Sequence, residues 1–512
     1  MRTKNSIRNA TVSVIMTILM SLIGLIAQKI FIDILGTEYL GISGLFSNII
    51  SMLGIVELGI GPAIIYNLYR PIKEKNLEKV KSLVFFYRKG YLCVAFAILG
   101  LGLLIIPFLP YIMKDVSIPE NVIVIYILFL VDTFVSYLIA YKQSILYANQ
   151  ENYIINIVHI GYLVVMNFLQ LLFLYITHNY YLYLIIKISC RLVENCVISY
   201  ISSRKYPEVF QGEHKPLDKR TRKGILRRTK GLIYHKIGTF IVDGSDNIII
   251  SSFLGVTTVG LYSNYSLILN AVNNLMNQAF SAVTASVGNL LIDDDKEKRY
   301  SIFKNIYFIN FWFASIISIC FLCVIQPFIS LWIGSRFLLP IFVVVILTVN
   351  LYIKLMTRTM NTFKEASGIF YEDRYIPIVQ SIMNIVFSII FLHFFGLSGV
   401  FMGTIISYLL LHLYSYPKYV YNSIFSQNIG KYFIQFLKYL FSALIMGIIS
   451  YVIVSYIAFN NIFLQIIINV IVSFAFVNLI IFMFFHNSTE YRYCLGLINK
   501  FVIKIKLKVM KE

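Results

Sequence analysis

Charge-free apolar runs, each about 20 residues or longer, recur along the whole length of this chain. In lipid a backbone must satisfy its own hydrogen bonds, so such runs fold only as helices or as strands of a closed barrel. Barrel strands are short and alternate apolar with polar. These runs are apolar on every side, which selects helices. Composition agrees: 58% of residues are hydrophobic and 13% charged, against about 25% charged in a soluble domain. The chain is read as an all-α integral membrane protein with about fourteen transmembrane helices. They lie at 9–34, 42–67, 82–109, 120–146, 151–177, 180–203, 231–254, 257–290, 301–326, 338–361, 373–396, 397–416, 433–458 and 460–486. The eighth is too long for one simple span. Met1–Asn9 carries Arg2, Lys4 and Arg8 and leads into apolar sequence up to Gln28. No small-x-small cleavage site precedes Lys29, so this is a retained first helix.

The loops set the orientation. Lys and Arg concentrate in Met1–Arg8, Arg70–Lys81, Arg204–Lys230, Asp293–Lys304, Lys354–Arg374, Lys418–Lys438 and the tail from Arg492. The opposite loops carry only Lys114 and Arg336. Basic loops stay in the cytoplasm, so both termini are expected there. The net charge of +20 is then a topological signal facing anionic headgroups, not a nucleic-acid surface.

A short pattern occurs twice. Leu35-Gly36, four residues, Gly41 and then Leu45-Phe46-Ser47-Asn48 match Leu254-Gly255, four residues, Gly260 and Leu261-Tyr262-Ser263-Asn264, with Ile42–Gly44 inserted in the first copy. An even number of helices separates the copies, so the repeats run parallel. The expected organisation is two parallel six-helix bundles plus two C-terminal helices. Residues 1–203 form the first lobe, 204–230 a basic cytoplasmic linker, 231–420 the second lobe, and 421–512 two extra helices with a basic tail. Transporters are often built from such repeats, with the substrate site at the interface between them.

Ionisable residues at membrane depth cost about 2.5–3.5 kcal/mol each on insertion scales and mark function. Lys29 and Asp33 share a face of helix 1; Glu57 lies in helix 2 and Asp132 in helix 4. Lys187, Arg191 and Glu194 form one stripe on helix 6, and Lys236, Asp243 and Asp246 one stripe on helix 7. Two readings stay open here: mutual pairing that holds helices together, or the lining of a polar cavity. Asn270, Asn273, Asn274, Asn277 and Gln278 on helix 8 suit sugar hydroxyls or interhelical bonds equally well. Gly59-Ile60-Gly61-Pro62 is a candidate hinge after Glu57.

Six cysteines, five of them within apolar runs, argue against a disulfide framework, and Cys320 and Cys323 read as helix packing. The sequence has no H-E-x-x-H, no phosphate-binding loop and no Cys/His metal cluster. The expectation is a non-enzyme without metal or cofactor. Asp293-Asp294-Asp295 reads as a solvated turn.

Several motifs together resemble the polysaccharide transporters, the Wzx-type flippases of lipid-linked oligosaccharide repeat units in the multidrug/oligosaccharidyl-lipid/polysaccharide exporter superfamily. They are Glu57-Leu58-Gly59-Ile60-Gly61 with Leu68-Tyr69-Arg70-Pro71, and Tyr141-Lys142 with Ala148-Asn149-Gln150. Leu254-Gly255, Gly260-Leu261-Tyr262-Ser263-Asn264-Tyr265 and Gly288-Asn289 complete the set. The family pattern often has Asp where Asn149 stands. The resemblance implies that the chain moves an undecaprenyl-pyrophosphate-linked oligosaccharide to the outer leaflet for capsule or a related polysaccharide. It implies alternating access driven by an ion gradient or the membrane potential, with proton or sodium as coupling ion. Membrane lipids, a polysaccharide polymerase and chain-length proteins are the implied partners. On that reading Lys29, Lys187, Arg191 and Lys236 face the pyrophosphate, and Asn270, Asn273, Asn274 and Asn277 face sugars. Asp243, Asp246, Glu57 and Asp132 couple the ion. A drug/cation antiporter of the same superfamily and a membrane-embedded polymerase or glycosyltransferase are the alternatives.

Overall fold

The computed structural model describes residues 2–57, 60–211, 216–291, 295–369, 372–457, 459–497 and 499. Its regular structure is helical throughout the described residues. The N-terminal part contains α1 (Arg2–Leu35), α2 (Thr37–Leu53), α3 (Ile60–Lys73), α4 (Leu77–Ile105) and the single turn α5 (Leu109–Ile112). It continues with α6 (Val122–Leu138), α7 (Ala140–Ala148), α8 (Asn152–Thr177), α9 (Tyr180–Lys205), the turn α10 (Pro207–Phe210), α11 (Lys219–Leu254) and α12 (Val256–Leu290). Then follow α13 (Lys296–Trp332), α14 (Ile341–Met356), α15 (Arg358–Ser367), α16 (Ile376–Phe395), α17 (Leu397–Ser407), α18 (Leu413–Val420), α19 (Gly430–Tyr456) and α20 (Ile462–Phe485).

Helix falls on every segment expected from the sequence, and several segments are broken. A tight turn at Gly54–Glu57 separates α2 from α3. α6 and α7 meet at a 45° bend, and a π-helical turn at Tyr408–His412 joins α17 to α18. Among the described residues, nine helices are long and apolar enough to cross a membrane, or ten if the α6–α7 pair counts as one span. α9 is not among them, because Lys187, Arg191 and Glu194 fall in the middle of its sequence. The charges that make it a poor span are the ones that make it a candidate site.

The basic segment before helix 7 is largely helical. α11 begins at Lys219, about three turns ahead of the start expected at 231. Lys219, Arg220, Arg222 and Lys223 crowd an N-terminus whose dipole disfavours cations. Asp218 offsets this by capping, its carboxylate accepting from the Thr221 amide at 2.8 Å. Hydrogen bonds from the Thr221 side chain and then its backbone hold the Asp218 carboxyl below its usual value. That cap contributes above the ordinary carboxylate range and is lost on acidification. At about 1.5 Å per residue, α11 and α12, with 36 and 35 residues, outreach a hydrocarbon core of about 30 Å.

The chain packs as two compact units, Met1–Leu275 with Arg374–Ile385, and Met276–Asp373 with Val386–Glu512. In the first, Phe31, Tyr39, Phe46, Tyr126 and Tyr180 centre a core shared by α1, α2, α6 and α9. In the second, Tyr307, Phe308, Phe311 and Tyr439 are buried between α13 and α19, with Phe311 and Tyr439 stacked at 4.2 Å. The segment Lys354–Arg374, expected as a loop, carries α15. Its Lys364 is buried in an ion pair with Asp373, under the ring of Tyr416. All six cysteines are free. Asp295 caps α13; Asp293 and Asp294 lie outside the described residues.

Candidate functional site

The first unit holds a chain of alternating charges across α6, α8 and α9. α8 and α9 form a tight helical hairpin. His178 closes α8 in the left-handed conformation, and Asn179 caps α9 by accepting from the Leu182 amide. Gln170 of α8 donates to the Tyr183 carbonyl at 2.9 Å, and Asn195 of α9 donates to the Val135 carbonyl of α6 at 2.8 Å. These bonds hold the three helices in register. On α9, Lys187, Arg191 and Glu194 follow the helical repeat and share one stripe.

Across that register the charges meet. Lys187 Nζ lies 3.2 Å from Asp132 Oδ2, and Arg191 Nε lies 3.5 Å from Asp132 Oδ1. Arg191 Nη1 lies 3.1 Å from Glu194 Oε2, and His159 Nδ1 lies 2.6 Å from Glu194 Oε1. Lys187 sits over the Phe129 ring at 4.8 Å and Arg191 over the Tyr162 ring at 4.7 Å; His159 stacks on Tyr162. The carboxylates are buried, while the side chains of Lys187 and Arg191 keep 26% and 22% of their surface exposed. The acids thus lie behind, and the cations have an open side.

The structure shows that pairing and exposure coexist on α9. Lys29 and Asp33 behave differently. Both are exposed on the stripe of α1 that also carries Ile18, Leu22 and Ile26, and neither forms an ion pair among the described residues.

Glu57 occupies a second polar site. It stands in the turn between α2 and α3, where Tyr137 of α6 donates to Oε2 at 2.8 Å and Tyr91 of α4 donates to Oε1 at 3.4 Å. The two rings stack at 6.3 Å. Gly61 follows so closely that a methyl there would lie 3.1 Å from the Tyr91 hydroxyl. Gly59 of the expected hinge, and Leu58 before it, lie outside the described residues.

On α12, Asn270, Asn274 and Asn277 are exposed at helical spacing, whereas Asn273 turns back to the Leu269 carbonyl of its own helix at 2.9 Å. Asp246 of α11 is half-buried. The side chains of Lys236 and Asp243 lie outside the described residues. Among the described residues no group of three or more His, Cys, Asp or Glu is placed to hold a metal ion.

The repeated motif has a geometric counterpart. Gly36, the N-cap of α2, and Gly255, the C-cap of α11, stand at the two helix-to-helix turns with φ 93° and 88°, a backbone that favours glycine. Gly41 of α2 lies against the carbonyl of Val256, and Gly260 of α12 against the carbonyl of Thr37. Each copy's glycine packs on the first residue of the other copy's helix, so the contact is reciprocal.

His159, Tyr162, Tyr91 and Tyr137 are the site residues that sequence reasoning missed. His159 had a usable signal: it interrupts the stripe Ile155, Tyr162, Met166, Gln170 and Leu174, which is buried along α8.

The long apolar helices, several of them broken, belong to a multi-pass membrane protein. Solved structures agree with that class. An inward-facing multidrug resistance MATE family transporter of the MOP superfamily matches with a TM-score of 0.64 and 17% identity, over 80% of this chain and 96% of that one. Lipid II flippase MurJ in an inward closed conformation matches with a TM-score of 0.63 and 16% identity, over 93% of this chain and 99% of that one. At such identities the likeness establishes the fold. No curated relative matches the chain. Residues 6–285 match the family described as polysaccharide biosynthesis protein; that is more than half of the chain, which therefore belongs to this family.

Proposed function

We propose that this protein is a flippase that carries an undecaprenyl-pyrophosphate-linked oligosaccharide repeat unit across the bacterial cytoplasmic membrane for capsule or another surface polysaccharide. The observation that carries the reading is the pair Lys187 and Arg191. Two cations one turn apart stand on a long helix of a membrane protein with their acidic partners buried behind them and their open sides exposed. A lipid-facing charge in that position is costly, whereas a pyrophosphate needs such donors. Arg offers a planar fork to phosphate oxygens and Lys a point charge. Lys29 on the exposed stripe of α1 and Lys236 on α11 complete the proposed cationic lining. Asn270, Asn274 and Asn277, exposed along α12, are the proposed sugar contacts; Asn273 is a weaker one, because its amide is engaged within its own helix.

Membership of the polysaccharide biosynthesis family supports this reading over a drug antiporter, and the likeness in fold to transporters and a lipid flippase supports it over a membrane-embedded polymerase or glycosyltransferase. The six-helix lobes 1–203 and 231–420, moving against each other, belong to the proposal, as do cytoplasmic termini and an implied polymerase and chain-length partner. Deletion of the gene should abolish the surface polysaccharide and accumulate lipid-linked repeat units in the inner leaflet. Normal polysaccharide with no accumulation would overturn the reading. Asp243 and Asp246, three apart on α11, are the proposed coupling carboxylates for a proton or sodium ion, with Glu57 and Asp132 as further candidates. Asp243→Asn and Asp246→Asn should each uncouple transport from the ion gradient in proteoliposomes while leaving the protein folded; normal gradient-driven flipping by both would remove them from this role.

A further inference from the structure

We infer that His159 is a proton-responsive positioning residue that controls whether Arg191 is available to an anion. The inference rests on the reading of Lys187 and Arg191 as a phosphate site and adds a residue and a regulation to it.

The argument starts from the charge balance. Asp132 and Glu194 supply two negative charges, and Lys187 and Arg191 two positive ones, so the cluster is neutral while the imidazole is neutral. Both oxygens of Glu194 are used, Oε1 by His159 at 2.6 Å and Oε2 by Arg191 at 3.1 Å. A carboxylate only accepts, so Nδ1 of a neutral His159 carries the hydrogen and Nε2 is the atom that takes up a further proton. In that neutral state the counter-charge of Glu194 is Arg191, and the guanidinium is committed to it. Once protonated, His159 becomes the counter-charge, the cluster carries one positive charge in excess, and the Arg191 fork can turn to a second anion. His159 and Arg191 also flank Tyr162, the first by stacking and the second by lying over the ring, so the two respond to the same ring.

Among the described residues, the other groups around His159 leave this balance intact; the side chains of Arg2, Lys4 and Arg8 of α1 lie outside them. α8 itself carries no Asp, Glu, Lys or Arg. From α9 it meets Glu194, with Arg191 and then Lys187 behind it, and Asp132 of α6 is reached through Arg191. α1 packs along α8, and its Lys29 and Asp33 lie on an exposed stripe without an ion pair among the described residues. Lys142 of α7, which also touches α8, is spent on the hydroxyls of Ser199 and Ser203. Imidazole is the side chain that changes charge near neutral pH. By linkage, a proton on His159 and an anion on Arg191 each raise the affinity for the other.

The test uses the full-length protein in nanodiscs, with inorganic pyrophosphate as probe. Wild type and His159→Gln are titrated between about pH 8 and about pH 6, and the difference between the two profiles removes pyrophosphate's own titration. Wild type should gain roughly tenfold more affinity than His159→Gln over that interval, within the usual range of site coupling. Wild type should also take up more protons on binding in weak buffer. His159→Arg, permanently charged, should bind tightly with a flat difference profile, and it keeps the test decisive if the Gln variant does not fold. Parallel profiles for wild type and His159→Gln, or a His159→Arg profile that follows wild type, overturn the role of His159 and leave the phosphate site standing. No pyrophosphate binding by wild type at any pH overturns the phosphate site and this inference together.

Discussion

Arg191 carries two obligations, one to Glu194 and Asp132 and one to a proposed phosphate, and substitutions can separate them. Removing one partner of a buried pair costs roughly 3–5 kcal/mol; the 22% exposure of Arg191 reduces that figure, because solvent screens the charge. If Arg191 binds the anion, Arg191→Lys keeps the charge, loses the fork and transports at a reduced rate. Arg191→Gln then inserts into the membrane and is nearly inactive. Adding Glu194→Gln to Arg191→Gln removes the stranded carboxylate, so melting in detergent should recover while transport should not. Full recovery of transport in the double variant would show that the arginine serves only to neutralise Glu194. The stripe of Lys187, Arg191 and Glu194 was legible in the sequence because its spacing lies within one helix. Its partners were not. Asp132 and His159 are 59 and 35 positions away from the residues they bind, and only the choice of neighbouring helices brings them together. His159 escaped notice for a further reason: an imidazole counted as neutral adds nothing to a tally of charges.

At the scale of elements, the apolar runs located the helices but not all of their ends and breaks. A Lys/Arg-rich stretch reads as a loop, yet Lys and Arg are good helix formers, and with Asp218 as cap the helix starts at Lys219. The turn at Gly54–Glu57 and the bend between α6 and α7 fall within apolar sequence and leave no mark in its periodicity. The paired motif carried more information than its length suggested, since its two glycines meet the opposite copy. This gives a stability prediction. A methyl at Gly41 or Gly260 would fall on a backbone carbonyl oxygen, which cannot rotate away. Overpacking of this kind costs about 1–3 kcal/mol, more than the roughly 1 kcal/mol that Ala gains over Gly in a helix. Gly41→Ala and Gly260→Ala should therefore both lower the melting temperature in detergent. Gly100→Ala, also within a helix but with no neighbour within 4 Å, should leave it unchanged or raise it. A neutral outcome for both contact glycines would mean that the two helix starts separate readily.

For the molecule as a whole, orientation follows from where the basic residues lie. Each Lys or Arg near an anionic headgroup contributes about 1 kcal/mol, and crossing the membrane forfeits it, so the loops with several such residues resist translocation. Arg70–Lys81 carries five basic residues, Arg70, Lys73, Lys75, Lys79 and Lys81, against Glu74 and Glu78. Arg70 is neutralised locally by Glu74 at 2.7 Å, which still leaves an excess. The start of α11 adds Lys219, Arg220, Arg222 and Lys223. Between these two regions the chain passes through the loop at Lys114, where one lysine is followed by Asp115 and Glu120. The prediction is that Lys73 and Arg222 face the cytoplasm and Lys114 faces outward. All three side chains are exposed, so a cysteine at each is within reach of reagent. The background must lack all six native cysteines, since Cys93 and Cys196 are themselves exposed. In spheroplasts treated with an impermeant thiol reagent, Lys114→Cys should label at once, and Lys73→Cys and Arg222→Cys only after permeabilisation. The reverse pattern would invert the topology. Labelling of Lys73→Cys and Lys114→Cys from the same side would mean that α4 does not span the membrane, although it and the turn after it form one of its longest apolar stretches.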